Sequence, residues 1–137
     1  MTVYLDTSVV IPLFLDDDHA PRARAWAKSG RMVALSRWTA TEFSSALSMQ
    51  VRVKHLTESE RTGFERAFDV WARSGQMLEF QPERFLDARL LLQKHSRLRA
   101  PDALHIAIAQ WNGLQLATLD VVLREAALAE GMKVIDL

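Results

Sequence analysis

Residues Val3-Tyr4-Leu5-Asp6-Thr7-Ser8 constrain the fold more than any other stretch of this chain. A run of β-formers ends on a carboxylate, a Thr-Ser pair opens a helix, and the apolar turn Val9-Val10-Ile11 follows. That is how a buried strand feeds directly into a helix. In an open α/β sheet, loops and helix N-termini converge outside the carboxyl ends of the strands. Asp6 therefore falls on the edge where such proteins do their chemistry.

The same alternation recurs downstream. A helix over residues 21–28 stops at Ser29-Gly30, and a short apolar strand spans residues 32–35. A long helical pattern then runs from Ser36 to about His55, with Thr39, Phe43, Ala46, Leu47 and Val51 on its inner face. Thr57 and Glu60 stand in capping-box register at the next helix, which turns Phe64, Ala67, Phe68 and Trp71 inward and ends at Ser74-Gly75. Residues 77–80 read as a third strand and residues 82–95 as a helix. Pro101 suits the first turn of a further helix, whose body over residues 103–109 is apolar on nearly every side except at His105. Residues 114–118 form a fourth strand, 120–129 a helix and 132–135 a last strand. Strands alternating with helices predict a mainly parallel sheet of four or five strands, covered on both faces. At 137 residues, with no linker or repeat, one domain spanning residues 1–137 is expected.

Composition narrows the chemistry. The chain has no Cys, so disulfides and thiolate metal sites are excluded, and any metal must be held by oxygen or by the 4 His. Lys+Arg and Asp+Glu balance at 17 each, which argues against a long phosphate-binding surface while allowing a local basic rim. Arg22, Arg24, Arg52, Lys54, Arg97 and Arg99 are candidates for such a rim, or simply solvated surface. No apolar run approaches the roughly 20 residues needed to cross a bilayer. The N-terminus lacks the basic start and small-residue cleavage site of a signal peptide, so a cytoplasmic protein with no membrane partner is expected.

Four acids stand out, each with a plainer reading beside the functional one. Asp6 and Asp120 follow strands and could serve only as helix N-caps. Asp102 follows Pro101 in a first helical turn, where the helix dipole favours an acid, but it heads a helix whose body is buried. Glu42 stands three residues after Thr39, a possible capping box, and also aligns with the apolar Ala46, Met49 and Val53. In a parallel sheet with right-handed crossovers, strand ends and helix starts share one edge, so the four can meet there. Carboxylates gathered together repel unless a cation or protons compensate. Hard oxygen donors suit Mg²⁺ or Mn²⁺, and such an ion in a carboxylate cup suits phosphodiester hydrolysis. His105, three residues after Asp102, fits a supporting role behind the site better than that of a ligand. The Trp and Phe residues fall at helical spacing and are expected in the core.

The segments Tyr4-Leu5-Asp6-Thr7-Ser8, Glu42 in a helix after the second strand, Arg99-Ala100-Pro101-Asp102-Ala103-Leu104-His105-Ile106-Ala107, and Thr118-Leu119-Asp120 occur in the order found in a known family. With these, the chain resembles the PIN-domain ribonucleases, and most closely the VapC toxins of toxin–antitoxin pairs. The resemblance covers essentially the full length. It implies a three-layer α/β/α sandwich and an Mg²⁺- or Mn²⁺-dependent endoribonuclease. In the family, the positions of Asp6 and Asp102 are the firmest metal ligands and those of Glu42 and Asp120 complete the cluster. The hydroxyl of Thr118, and with it Thr7, supports the cluster. The resemblance further implies RNA as substrate, a homodimer, and a small VapB-type antitoxin as partner.

Other α/β functions fit less well. A receiver domain needs an acidic pair at the end of the first strand, but Asp6 is followed by Thr7. A phosphatase with an Asp-x-Asp pair fails because position 8 is Ser. Phosphate-binding loops of the P-loop or dinucleotide type have no matching glycine pattern. The remaining alternative is a catalytically weak PIN-like scaffold that acts by binding protein or RNA.

Overall fold

Tyr4 points to one side of the central strand and Val3 and Leu5 to the other, and this alternation divides the protein into two cores. The computed structural model describes residues 1–137. Its five parallel strands are β1 (Val3–Leu5), β2 (Val33–Ser36), β3 (Gln76–Leu78), β4 (Gln115–Ala117) and β5 (Val134–Ile135). They lie in the order β3-β2-β1-β4-β5. Seven helices cover them: α1 (Thr7–Phe14), α2 (Ala20–Ala27), α3 (Arg37–Arg52), α4 (Glu58–Ala72), α5 (Glu83–Lys94), α6 (Ala100–Trp111) and α7 (Val121–Ala129). The result is the three-layer α/β/α arrangement with a parallel sheet, at five strands.

One core joins Val3, Leu5, Leu35 and Ala117 to Val9 and Val10 of α1, Phe43 and Leu47 of α3 and Phe68 of α4. Phe43 stacks on Phe68 with ring centroids 4.7 Å apart, and Phe14 packs edge-on against Phe43. The other core sets Tyr4, Ala34 and Leu116 against α5, α6 and α7. Helix α6 is buried on almost every side from Asp102 to Ala109, as its apolar sequence requires. No helix is long and apolar enough to cross a membrane.

Several local expectations are corrected. Helix α3 ends at Arg52, short of His55, because Lys54 takes a positive φ of 65° and turns the chain. Its cap is Ser36, which shares a capping box with Thr39, so Glu42 has no capping role. The box at Thr57 and Glu60 forms as its register requires. Met49 and Val53, aligned with Glu42, lie on the exposed side. Ala67 is exposed as well. Two aromatics leave the core: Phe85 is 54% and Trp111 68% exposed. Trp111 lies instead under the buried Arg84 guanidinium, 3.6 Å from the ring centroid, a cation–π contact that suits a half-wet indole.

Candidate active site

The sheet order makes β1 and β4 neighbours, although the chain passes through β2 and β3 between them. Strand order therefore reverses direction at the β1/β4 junction, the place where open α/β sheets form a crevice at their carboxyl edge. Asp6 follows β1 there, and Thr118 and Asp120 follow β4. The Asp6 backbone N–H donates to Ala117 O at 3.2 Å and ties the two strand ends together.

Asp6 occupies the N-cap position of α1, yet its side chain caps nothing. Its two oxygens accept from hydroxyls instead, Oδ1 from Ser8 at 2.6 Å and Oδ2 from Thr118 at 2.9 Å. Only 2% exposed, the carboxyl is pushed up to about 6 by burial. His105 and the two hydroxyls pull it back, and the Asp102 charge adds to the rise. Asp120 does what an acid after a strand commonly does. It caps α7, with Oδ1 accepting from Leu123 N–H at 2.8 Å, while its own N–H donates to Thr118 Oγ1.

Asp102 sits in the first turn of α6 and is 8% exposed. That turn is pinned to α3 by Trp38, whose indole N–H donates to Pro101 O at 3.2 Å. Burial, then the nearby Asp120 charge, raises the Asp102 carboxyl, and Arg99 at 3.6 Å counters in part. Glu42 reaches the same neighbourhood from α3. Its Oε1 accepts from the Thr7 hydroxyl at 2.8 Å and from His105 Nε2. Burial would raise the Glu42 carboxyl, but His105, Thr7 and Arg99 together outweigh it and hold it low.

Sequence reasoning assigned no role to Ser8, Tyr4 or Ser36. Tyr4 carries a buried strand hydroxyl, and it contacts Ser36 Oγ at 2.9 Å and His105 Nδ1 at 2.8 Å. Burial raises its phenol further above the ordinary range, so it stays a neutral donor. The signal was available: a polar tip on a residue whose register places it in the core needs a partner there.

Asp102 thus acts on Asp6 and Asp120 on Asp102 at one edge, and Glu42 is drawn aside to His105. No three Asp, Glu or His side chains converge closely enough to form a ready-made coordination set. A buried Asp6 and a buried Asp102, each raised and each adding to the repulsion, still fit a hard divalent cation. Mg²⁺ in particular takes one or two carboxylates and keeps much of its water. A cleft of about 290 Å³ adjoins the edge, lined by Arg22, Thr118, Leu119, Asp120, Arg124 and Asp136. Of the other basic candidates, Arg24 pairs with Asp16 and Arg97 with Glu125, away from the acids.

The fold has close counterparts among solved structures. FitAcB from Neisseria gonorrhoeae superposes with a TM-score of 0.73 at 22% identity, covering 98% of this chain and 96% of that one. VapC20 from Mycobacterium tuberculosis, described as a sarcin–ricin loop cleaving toxin, gives 0.72 at 20% identity over 90% and 94%. A toxin–antitoxin complex from Klebsiella pneumoniae gives 0.65 at 19% over 86% of each chain. At such identities the likeness speaks for the fold. A comparison with curated proteins returns no match. The PIN domain family model matches residues 3–129, nearly the whole chain, and the protein therefore belongs to the PIN domain family.

Proposed function

We propose that this protein is a metal-dependent endoribonuclease and the toxin of a VapBC-type toxin–antitoxin pair. It acts in the cytoplasm as a single PIN domain over residues 1–137. The observation that carries the reading is the buried, doubly hydrogen-bonded Asp6 at the β1/β4 junction, within the field of Asp102. A carboxylate there at neutral pH is held against a desolvation penalty, which a bound cation would remove. Membership of a family of nucleases and structural likeness to toxin–antitoxin proteins support the same reading.

Asp6, Asp102 and Asp120 would hold Mg²⁺ or Mn²⁺, with Glu42 beside them. When bound, the ion supplies positive charge against the negative charge growing on the phosphate oxygens during phosphodiester hydrolysis. Ser8 and Thr118 orient Asp6 through its two oxygens. Arg22 and Arg124 in the adjoining cleft, with Arg99 at the rim, provide the local positive charge that a neutral chain needs to hold RNA. The exposed Phe85, Leu86 and Leu90 of α5 form the apolar face to which we assign the second copy of a homodimer. A VapB-type antitoxin completes the reading as the partner that blocks the acidic edge.

A second reading, a PIN-like scaffold acting by protein or RNA binding, draws on the absence of a converged donor set. Incubating the purified protein with structured RNA and Mg²⁺ or Mn²⁺ separates the two. Internal cleavage that EDTA and Asp102→Asn each abolish, with the fold retained, is expected. RNA that binds but stays intact under every divalent-ion condition would leave the scaffold.

A further inference from the structure

Beneath the acidic edge runs a continuous polar chain through an otherwise apolar core. Ser36 Oγ lies 2.9 Å from the Tyr4 hydroxyl, which lies 2.8 Å from His105 Nδ1. His105 Nε2 in turn meets Glu42 Oε1, which the Thr7 hydroxyl also contacts at 2.8 Å. Tyr4, Ser36 and His105 are all 1% exposed or less. These residues come from five elements: β1, α1, the end of β2, α3 and α6.

The carboxylate fixes the direction at one end of the chain. An ionised carboxylate only accepts, so His105 Nε2 must carry the hydrogen that faces Glu42. The Tyr4 hydroxyl bridges His105 Nδ1 and Ser36 Oγ, donating to one of them and accepting from the other. Every member is satisfied, and Gln115 Oε1 is the only buried side-chain polar atom without a partner. Glu42 Oε2 has no protein partner and is not among the buried atoms, so it reaches solvent. A buried network of this kind is worth its desolvation only when fully connected, and it then locks one geometry. Thus the Glu42 side chain is held by one oxygen and presents the other outward.

We propose that Tyr4 and His105 are positioning residues of the site: they fix Glu42 so that its free oxygen serves as an outer acceptor for water, while the cation is held by Asp6, Asp102 and Asp120 without it. This rests on the nuclease reading and divides its four acids into three ion-holding groups and one oriented group. It also accounts for the spacing of Asp102 and His105, one helical turn apart on α6. One helix delivers an acid to the ion and a ring to the group beside it.

The test compares wild type with Glu42→Gln, His105→Gln, Tyr4→Phe and Asp102→Asn. For each, Mn²⁺ affinity is measured by calorimetry, and kcat and KM are measured on a short RNA. Asp102→Asn should weaken Mn²⁺ binding by about tenfold or more. Glu42→Gln and Tyr4→Phe should change it by less than about threefold, yet lower kcat by about ten- to a hundredfold at similar KM. The Tyr4→Phe/Glu42→Gln double variant should lose little more than Glu42→Gln alone, because both act through one group. His105→Gln keeps an amide donor and should retain more activity than His105→Ala. Tyr4→Phe keeps the buried ring, so it answers the question even where the His105 variants fail to fold.

Histidine ring ¹⁵N spectra give a readout independent of catalysis. Wild type should show a protonated Nε2 whose signal moves in Tyr4→Phe. Glu42→Gln weakening Mn²⁺ as much as Asp102→Asn would overturn the proposal. So would multiplicative losses in the double variant. Should the wild type cut no RNA, the nuclease reading falls, and the Mn²⁺ affinities and ring spectra still decide the role of Glu42.

Discussion

The Thr118 hydroxyl donates to Asp6 Oδ2 at 2.9 Å across the β1/β4 junction, between residues 112 positions apart in the chain. The same oxygen atom of Thr118 accepts the Asp120 N–H at 3.0 Å. One small side chain therefore sets the orientation of a buried acid and the entry of the chain into α7. Thr118→Val keeps the shape and removes both hydrogen bonds. We expect it to fold, to bind Mn²⁺ about tenfold more weakly and to cut RNA about ten- to a hundredfold more slowly. Unchanged calorimetric affinity would show that Ser8 alone suffices to orient Asp6.

Asp6 should weigh on stability whenever no cation is bound. Its carboxyl rises from 3.8 to about 6 on folding, so the folded protein holds this proton more tightly than the unfolded chain does. The stabilisation is complete below pH 4 and is lost as pH climbs through 6. The rise corresponds to roughly 3 kcal/mol at neutral pH. Asn does not titrate, but it leaves one of the two hydroxyls without an acceptor, which costs about 1 kcal/mol. In EDTA, Asp6→Asn should therefore be more stable than wild type by about 1–2 kcal/mol at pH 7.5, with a smaller or reversed difference at pH 4. Urea unfolding at the two pH values checks the sign. The same variant should lose RNA cleavage entirely.

Divalent ions should both activate and stabilise. Saturation at a hundredfold excess over the dissociation constant adds about 2.7 kcal/mol to unfolding. Melting temperature should accordingly rise with Mn²⁺, fall back with EDTA, and respond least in Asp102→Asn. Cleavage should decline in acid as protons compete for the carboxylates. Chelator-resistant cleavage by the purified protein would exclude the metal reading.

Arg22 and Arg124 line the cleft beside Asp120, and Arg124 is paired with the exposed Asp136 at 2.6 Å. Arg124→Ala and Arg22→Ala should raise KM for RNA by several-fold with kcat little changed. Each should also flatten the dependence of binding on salt, by up to about one phosphate contact. Asp136→Ala releases Arg124 and should act in the opposite direction. Fluorescence anisotropy across a salt series distinguishes these outcomes.

Phe85 and Leu86 are each more than half exposed on α5, beside an apolar cleft of about 310 Å³ lined by Trp38, Ala88, Leu92, Pro101 and Leu104. Phe85→Glu should shift sedimentation from dimer towards monomer while leaving the melting of the monomer within about 0.5 kcal/mol, the usual range for a surface change. A wild type that sediments as a monomer at high concentration would remove the homodimer from the proposal.

Local pattern alone was enough for the alternation of strands and helices, the parallel sheet and the placement of Asp6, Asp102 and Asp120 near one edge. Periodicity, caps and stop signals act over a few residues, and every residue in them is adjacent in the chain. It could not separate Asp6 from Asp120, both acids after a strand: one is buried between two hydroxyls and the other caps its own helix. Nor could it show that Glu42 would turn towards His105, 63 positions away, or that Tyr4 would complete the chain beneath them. Those pairings depend on strand order and on how α3 and α6 pack over β1. Long-range packing sets both, because burying two apolar faces of one sheet decides which side chains must meet.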